Sequence, residues 1–458
     1  MNTYLYYLYI LYIIIYKAYN IPSPQLKCCW LCNLPGEESS DFYCEVQYCS
    51  QEHRELHHPP DHEEPWPIIA KYKPGVGRLL VAARDIDQGE LIFTESCFAQ
   101  GPNHNLTNKT CLECLKETDN VCDKCGWPIC DETCATGPSH SIECPTLTQC
   151  RDNIDMEAMR EKDALYWPVS ALRILLKCKD NPRSWSVIKR MISHTEEHQK
   201  REAWPLYYEH LVKMIREKCD LGAHFTEEDV EHVSGVIDVN SIRLLSHGHG
   251  VYLKTSIMSH SCLSNTKTIM NEDLTVDVRA VVAIPRGAEI TKSYVSTMET
   301  TQMRQQKLLA GWYFHCKCIR CEDPLEGLSF ASSVACLRCR EGLILSTNPL
   351  DLEADWACGD CGTGKPAEAI TKLNDYFLTA VYGATNDCSA LEDLLTKSTR
   401  MFHPSHYIPT LIRIKLNTAY LKLGARNEGQ AEMELLMRRK EVIDEVHQVN
   451  WNLYLKSK

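Results

Sequence analysis

The sequence predicts an α+β fold in which one β-rich unit is split into two halves by inserted modules. Short aliphatic runs at Arg78 to Ile86 and Glu90 to Phe93 are typical of strands. Much later in the chain, an alternating run from Thr275 to Ile284 predicts a further strand. Apolar residues at helical spacing fill much of the stretch between them and the carboxyl-terminal end. Paired cysteines mark further small modules, and 458 residues suffice for about two to four domains.

The amino-terminal leader, residues 1–27, is open to two interpretations. Its run from Tyr4 to Tyr16 is apolar and rich in tyrosine, yet no basic residue precedes it and it is shorter than the ~20 residues of a membrane span. It is a targeting segment, an unusual leader, or the product of a wrongly assigned start site. In none of these cases do we expect the folded chain to associate with a membrane.

Two turn signals punctuate the strand runs. Asp87-Gln88-Gly89 predicts a hairpin between the first two runs, and Pro285-Arg286-Gly287 turns the later run back into Glu289-Ile290-Thr291. The two halves therefore look like parts of one β-rich unit.

Helices are predicted in two places. The first stretch runs from about residue 153 to 233, where Thr226 and Asp229 have the spacing of a capping box. The second begins at Lys365 and shows amphipathic patterns without strand signals. We expect a helical carboxyl-terminal domain.

The 25 cysteines of the chain are densest between residues 111 and 144. This stretch holds seven thiols and one imidazole, enough for two tetrahedral zinc ions: Cys111, Cys114, Cys122, Cys125, Cys130, Cys134, His140 and Cys144. Spacing alone allows either sequential or interleaved pairing of these ligands. A disulfide framework is the alternative, but such frameworks belong to small secreted chains.

The segment from 28 to 66 repeats this rhythm with substitutions. One complete set of ligands survives, namely Cys29, Cys32, Cys49 and His53. A second set would combine Cys44 with a histidine, with or without Asp41, and it lacks a final cysteine before Trp66. The alternative interpretation is a solvated His-rich loop.

Two further cysteine groups follow the β-unit. Cys316, Cys318 and Cys321 supply three thiolates, and Cys262 is the obvious fourth. The second group has zinc-ribbon spacing and consists of Cys336, Cys339, Cys358 and Cys361. With four protein ligands and no open coordination position, such sites are structural rather than catalytic. We expect five zinc ions in all, and six if the weak amino-terminal site is filled.

Charge disfavours nucleic acid as a partner. The formal net charge is −12, and no basic stripe accompanies the cysteine modules, which also lack the spacing of C2H2 fingers. We therefore expect no sequence-specific contact with nucleic acid.

The combined motifs resemble those of SET-domain protein lysine methyltransferases. The matching segments are Gly77-Arg78, Met258-Ser259-His260-Ser261-Cys262 with Asn265, Glu289-Ile290 with Ser293-Tyr294, and the Cys316, Cys318 and Cys321 group. A MYND-type zinc module inserted between the halves of the SET domain is similar to the SMYD family. The additional amino-terminal module and the ribbon are most similar to its arthropod-specific SmydA branch, and the resemblance covers about residues 29 to 425.

The resemblance implies the domain order. It is a leader at 1–27, a degenerate MYND-like zinc module at 28–66, the amino-terminal half of SET at 67–110, a MYND zinc finger at 111–144, a helical SET insert at 145–235, the carboxyl-terminal half of SET at 236–314, a post-SET region and zinc ribbon at 315–364, and a helical TPR-like domain at 365–458. It also favours interleaved pairing, with Cys111, Cys114, Cys130 and Cys134 around one ion.

The resemblance further implies methyl transfer from S-adenosylmethionine to a lysine side chain. By motif position, Tyr294 would border the lysine channel as the catalytic residue. The cofactor would contact Gly77, Arg78, Asn240, Ser259, His260, Tyr252, Trp312 and Phe314. Taken singly, each of these residues has an ordinary structural explanation, such as strand packing for Tyr294.

Three positions depart from the family pattern. Ser259 stands where an asparagine is usual, Trp312 where a tyrosine is usual, and Leu79 where a glycine often follows Gly-Arg. Tryptophan keeps an aromatic wall that can face a cation, but it has no hydroxyl. These departures put catalysis in more doubt than cofactor binding.

Two functions compete on these grounds. The first is a lysine methyltransferase that acts on a histone or another protein, in the nucleus or cytoplasm, with a role in transcriptional regulation. The second is a catalytically weak adaptor whose MYND modules bind proline-containing peptides. Tyr294 and His260 favour the first function, whereas Ser259 and Trp312 favour the second.

Overall fold

The computed structural model describes residues 66–74, 76–104, 106, 108–244, 247–385 and 387–424. The leader and the amino-terminal cysteine module lie outside the described residues. The predicted ligands Cys29, Cys32, Cys44, Cys49 and His53 therefore remain predictions. No helix within the described ranges is long and apolar enough to cross a membrane.

The two halves of the β-unit combine into shared sheets. Strand β1 (Ile68–Lys73) pairs antiparallel with β2 (Gly77–Ala82). Strand β3 (Leu91–Glu95) pairs with β9 (Val276–Ala280), which also pairs with β8 (Thr266–Met270). This second sheet joins segments far apart in sequence, so neither half could complete the unit alone.

The predicted hairpin at Asp87-Gln88-Gly89 is wrong. A turn does form there, with Gly89 at φ 87°, but β2 and β3 pair with different partners. Ile86 instead forms an isolated bridge with Ile284 of the later half. Turn chemistry fixes where the chain bends, whereas the partner of each strand depends on tertiary packing.

A third sheet and a short parallel pair complete the unit. Strand β4 (Ala99–Pro102) pairs with β6 (Gly248–Val251), whose other edge pairs with β5 (Ile242–Arg243). Strands β7 (Ser259–His260) and β10 (Thr291–Lys292) run parallel, with Thr291 opposite Ser259 and Lys292 opposite His260.

Helices fill the interval between the halves, as the sequence predicts. Their bounds are α1 Glu132–Ala135, α2 His140–Gln149, α3 Met156–Glu161, α4 Trp167–Lys179, α5 Pro182–Ile188, α6 Thr195–Gln199, α7 Trp204–Tyr207, a π-helix Tyr208–Lys218, and α8 Glu227–Asn240. The predicted capping box of Thr226 and Asp229 begins α8. With the sheets, these helices confirm the α+β class.

The end of the described chain is a small sheet followed by helices. Helices α9 (Thr301–Trp312) and α10 (Ile319–Glu322) lead into an antiparallel sheet, β11 to β14 in order: Val334–Ala335, Leu343–Ser346, Trp356–Cys358 and Gly364–Lys365. Three helices follow, α11 Ala367–Gly383, α12 Cys388–Met401 and α13 Tyr407–Gly424. The helical carboxyl-terminal region is thus confirmed as far as residue 424.

Arg173 of α4 fastens the zinc-finger segment to the β-unit. Its guanidinium is buried and donates to both carboxylate oxygens of Glu143 at 2.9 and 2.6 Å, and to the carbonyl oxygens of Gln100 and Leu112 at 2.8 Å each. A single cation therefore links three segments. A buried charge is tolerated because the Glu143 carboxylate balances it and each of the three guanidinium nitrogens meets an acceptor.

We predict that Arg173→Met lowers the free energy of unfolding by about 3 to 5 kcal/mol, because it leaves the Glu143 carboxylate buried without its cation. Urea unfolding of the zinc-loaded chain, followed by fluorescence, measures the loss. Arg160→Met is the matched control, since its ion pair with Glu157 is solvent-exposed and such pairs contribute about 0 to 1 kcal/mol. Equal losses in the two variants would contradict this role.

Candidate zinc centres and aromatic site

Four groups of ligand atoms converge among the described residues. In each, four sulfur or ring nitrogen atoms lie within 4.8 Å of one another. Adjacent sulfurs are 3.4 to 3.8 Å apart. Zn–S bonds of about 2.3 Å in a tetrahedron place sulfurs about 3.8 Å apart, so these groups fit zinc without rearrangement.

The central module groups its ligands in the interleaved order. One set is Cys111, Cys114, Cys130 and Cys134, and the other is Cys122, Cys125, His140 and Cys144. The second set is wholly buried. This separation in space decides between the two pairings that spacing left open.

His140 is held in position by a carboxylate behind it. Its Nδ1 lies 3.1 Å from Glu143 Oε1, while Nε2 lies 3.7 Å from the sulfur of Cys125. A carboxylate behind a ligating histidine fixes its tautomer and raises its basicity. Since Arg173 binds the same carboxylate, the metal set and the helical insert share one polar network.

The third group joins the β-unit to the segment after α9. Cys262 follows β7, whereas Cys316, Cys318 and Cys321 lie near α10. A hydrogen bond with the Cys316 thiol raises the pKa of the Cys262 thiol. A hydrogen bond with the Cys262 thiol lowers the pKa of the Cys318 thiol. Thiols packed so closely cannot all ionise without a cation among them.

Buried arginines surround this third group. Arg304 donates to the sulfur of Cys321 at 3.8 Å, and Arg320 donates to the carbonyl of Cys262 at 3.2 Å. Glu326 lies 3.7 and 3.8 Å from the two guanidinium groups. The positive charge of the arginines offsets the net negative charge that a zinc tetrathiolate carries.

The fourth group closes the ribbon sheet. Cys336 and Cys339 lie in the turn between β11 and β12, whereas Cys358 ends β13 and Cys361 lies in the turn between β13 and β14. Each pair spans a turn, so an ion there would clamp strands β11 and β13.

An aromatic group lies directly beside the third cysteine group. Tyr294 is 5.1 Å from His260 and 5.3 Å from Trp312 between ring centroids, and His260 is 5.9 Å from Phe314. We call His260, Tyr294, Trp312 and Phe314 the aromatic site. Its four residues come from three stretches of the chain, and the Cys262 cluster brings the first, which holds His260, next to the last, which holds Trp312 and Phe314.

Hydrogen bonds fix the members of the aromatic site. The Tyr294 hydroxyl donates to the Met258 carbonyl oxygen at 2.7 Å, and its backbone N–H donates to His260 Nδ1 at 3.0 Å. The Trp312 indole donates to the Val239 carbonyl at 2.9 Å. Burial raises the pKa of the Tyr294 phenol, so it stays protonated at neutral pH.

One polar atom beside this site lacks a partner. Ser259 Oγ is buried and forms no hydrogen bond with any described residue. An orphaned buried hydroxyl costs free energy unless something else binds it, so this position suits a polar ligand.

Other predicted site residues are placed elsewhere. Gly77, at φ 98°, and Arg78 begin β2, and Arg78 donates to the Arg190 carbonyl at 3.1 Å. Asn240 ends α8, where its amide donates to carbonyls of Ile192 and Val236. Val239, the residue before Asn240, accepts the hydrogen bond of the Trp312 indole, so the end of α8 lies at the edge of the aromatic site.

Tyr252 belongs to a different cluster. Its ring packs with Leu115, Leu244 and Val276, and its hydroxyl donates to the Leu274 carbonyl at 2.7 Å. The structure therefore does not bring Tyr252 to the aromatic site, and its hydroxyl already has a partner.

Sequence reasoning missed Lys292. Its Nζ lies 5.4 Å from the centroid of the Tyr294 ring, within cation–π range. The signal was available, because residues two apart on a strand share a face. Glu95 was missed as well; it is buried, and its charge acts on Lys292.

Comparison with known proteins supplies the context. The SET domain family matches residues 77–295. The SET domain-containing protein SmydA-8, isoform A, of Drosophila melanogaster is 27% identical over 362 residues, covering 75% of this chain and 76% of that protein. Histone-lysine N-methyltransferase ASHR1 of Arabidopsis thaliana is 28% identical over 271 residues, covering 55% and 54%. Histone-lysine N-methyltransferase SMYD1 of Homo sapiens is 22% identical over 277 residues, covering 55% of each.

We predict that Cys262→Ser lowers the zinc content by one ion per chain, because three thiolates hold zinc less tightly than four. Elemental analysis of the purified chain measures the change. Cys97→Ser is the matched control, since Cys97 lies in none of the four groups and should leave the metal content unchanged. Full zinc content in the Cys262 variant would rule out this ligand set.

Proposed function

Because this chain is a SET-domain protein of the SMYD family, most like its SmydA branch, we propose that it is a protein-lysine N-methyltransferase. S-adenosylmethionine supplies an electrophilic methyl group on a sulfonium. The lysine substrate would belong to a histone or another protein. The observation that carries the proposal is the aromatic site beside the Cys262 cluster, in which a protonated Tyr294 packs against His260 and Trp312.

The residues present fit a polar, cationic cofactor. Ser259 offers an unpartnered hydroxyl, while His260 and Phe314 offer ring surfaces that favour a sulfonium over water. We assign cofactor contacts to these residues, to Trp312, and by motif position to Gly77, Arg78 and Asn240. Tyr252 has the weakest claim, because its hydroxyl is bound in another cluster.

The aromatic walls prepare the lysine for attack. An apolar enclosure excludes water and lowers the pKa of the incoming amine, so that the nucleophilic neutral form is populated. The Tyr294 oxygen, which donates its proton to the Met258 carbonyl, retains lone pairs that can accept a hydrogen bond from the amine. Holding the amine in one direction lowers the entropic barrier to transfer.

A second function deserves a test because of Trp312. Its indole N–H is committed to the Val239 carbonyl, so this position supplies a wall but no hydroxyl to the site. Buried Leu79 also replaces a small residue beside the cofactor motif. We therefore keep as the alternative a weak or inactive adaptor that binds proline-containing peptides through its zinc modules. Action in transcription, in the nucleus or the cytoplasm, is part of the proposal in either case.

Binding and transfer distinguish the two functions. Calorimetry with S-adenosylmethionine, followed by methyl transfer to a lysine-peptide array, tests them on the full chain. Cofactor binding with labelled lysine supports the methyltransferase. Cofactor binding without label on any peptide supports the adaptor.

We predict that Tyr294→Phe reduces the rate of methyl transfer by about tenfold or more, which corresponds to about 1.4 kcal/mol of barrier. The phenylalanine ring keeps the wall but loses the oxygen that orients the amine, so the affinity for S-adenosylmethionine should change little. Single-turnover rates and calorimetry measure the two quantities. Undiminished transfer in this variant would show that another residue orients the amine.

We predict that Ser259→Asn combined with Trp312→Tyr raises the transfer rate, because the pair restores an amide and a hydroxyl that the family usually has. The double variant is compared with wild type at saturating cofactor. Trp312→Phe is the matched control, since it changes the ring without adding a hydroxyl. An adaptor would show no transfer in either background.

A further inference from the structure

Lys292 places an ammonium on the face of the presumed catalytic tyrosine. Lys292 ends strand β10, Tyr294 follows two residues later, and Lys292 lies opposite His260 in the parallel pair. Its Nζ is 5.4 Å from the Tyr294 ring centroid. The side chain is half-buried, so this charge is only partly screened by solvent.

This ammonium lacks a counter-ion. Within the described ranges, Lys292 Nζ forms no hydrogen bond and no ion pair. Glu95 is the carboxylate whose charge acts on Lys292. This carboxylate already accepts hydrogen bonds from the backbone N–H groups of Lys254 and Thr255, at 2.6 and 2.8 Å, and from the Thr255 hydroxyl. Glu95 therefore cannot neutralise Lys292 fully.

The charges on the elements around Lys292 balance one another, which leaves the charge of Lys292 itself in excess. The titratable groups on the elements around Lys292 are Glu95 of β3, Lys254 after β6, His260 of β7, exposed Lys267 of β8, and Glu289 and Tyr294 on its own segment. Lys254 Nζ donates to the Thr94 carbonyl and lies over the Phe93 ring, away from the aromatic site. Desolvation lowers the pKa of Lys292 to about 8, so it is mostly charged at pH 7.

We infer that Lys292 is a built-in positive charge that penalises a second cation at the aromatic site, so that the substrate lysine binds there as its neutral amine. This rests on the proposed function and adds a residue to it. A cation beside an amine lowers the amine pKa, as in enzymes that activate one lysine with another. Lys292 acts through its field and does not touch the reacting atoms.

The positive charge of Lys292 must also weaken the binding of any cationic ligand at this site, compared with a neutral ligand of the same shape. S-adenosylmethionine and S-adenosylhomocysteine share their nucleoside and amino acid parts and differ in one methyl and one positive charge. The ratio of their dissociation constants therefore reports the field at the site without any catalytic turnover.

The test is calorimetric titration of the zinc-loaded full chain with each ligand. For Lys292→Met we expect the Kd of S-adenosylmethionine, divided by that of S-adenosylhomocysteine, to fall about fivefold to tenfold below the wild-type ratio. Lys292→Arg keeps the charge and should hold the ratio within about twofold. Lys254→Met, which removes a buried lysine outside the aromatic site, is the matched control and should also hold it.

The pH dependence has a defined sign. Lys292 is charged below its pKa of about 8, so the wild-type ratio should fall towards that of Lys292→Met as the pH rises from 7 to 9, whereas Lys292→Arg should not change. The same sign applies to catalysis with a lysine peptide found on the array. Removing the charge in Lys292→Met raises the pKa of the substrate amine, so the rise of kcat on the acid side of the pH profile should move to higher pH by about one unit.

An unchanged ratio in Lys292→Met, with both ligands bound, would overturn the inference and leave the proposed function intact. An equal fall of this ratio in Lys292→Arg would also overturn the inference, because that variant keeps the charge. Faster transfer by Lys292→Met at every pH would show instead that Lys292 obstructs the substrate. If neither ligand binds to the wild type, the proposed function fails and the inference fails with it.

Discussion

The aromatic site depends on one cross-link between distant parts of the chain. His260 lies in β7 and Tyr294 just after β10, whereas Trp312 ends helix α9 and Phe314 follows it. The cluster of Cys262, Cys316, Cys318 and Cys321 packs with the last three of these aromatic residues. Four thiols so close together are stable only around a cation, so metal binding and assembly of the site are one event.

Buried charges join the modules in the same way. Arg173 connects the second set of the zinc finger to the β-unit through Glu143, and Arg304 and Arg320 connect the third cysteine group to Glu326. In each case a cation in the interior is balanced by a carboxylate and by backbone carbonyls. Lys292 breaks this pattern, since it has no such partner among the described residues. An unbalanced charge is expensive in a core and is therefore more informative about function than a balanced one.

The parts of the structure that sequence predicted well are those set by local chemistry. Cysteine spacing predicted the zinc ligands and the ribbon group, and the capping box of Thr226 predicted the start of α8. The interleaved pairing in the central module was predicted from the family resemblance, because spacing alone left it open. The hairpin after Ile86 failed because a turn signal does not say which strand becomes the partner. Tyr252 could not be placed by motif position, because its cluster is set by long-range packing. Lys292 was overlooked because a lysine usually indicates surface.

The most direct test of this account is calorimetric titration of the full chain with S-adenosylmethionine before zinc removal, after removal with a chelator, and after zinc is restored. If zinc assembles the aromatic site, the intact chain binds one equivalent, the stripped chain binds none, and binding returns with the metal. Equal affinity in the stripped and intact chains would contradict the claim that the cysteine cluster builds the site.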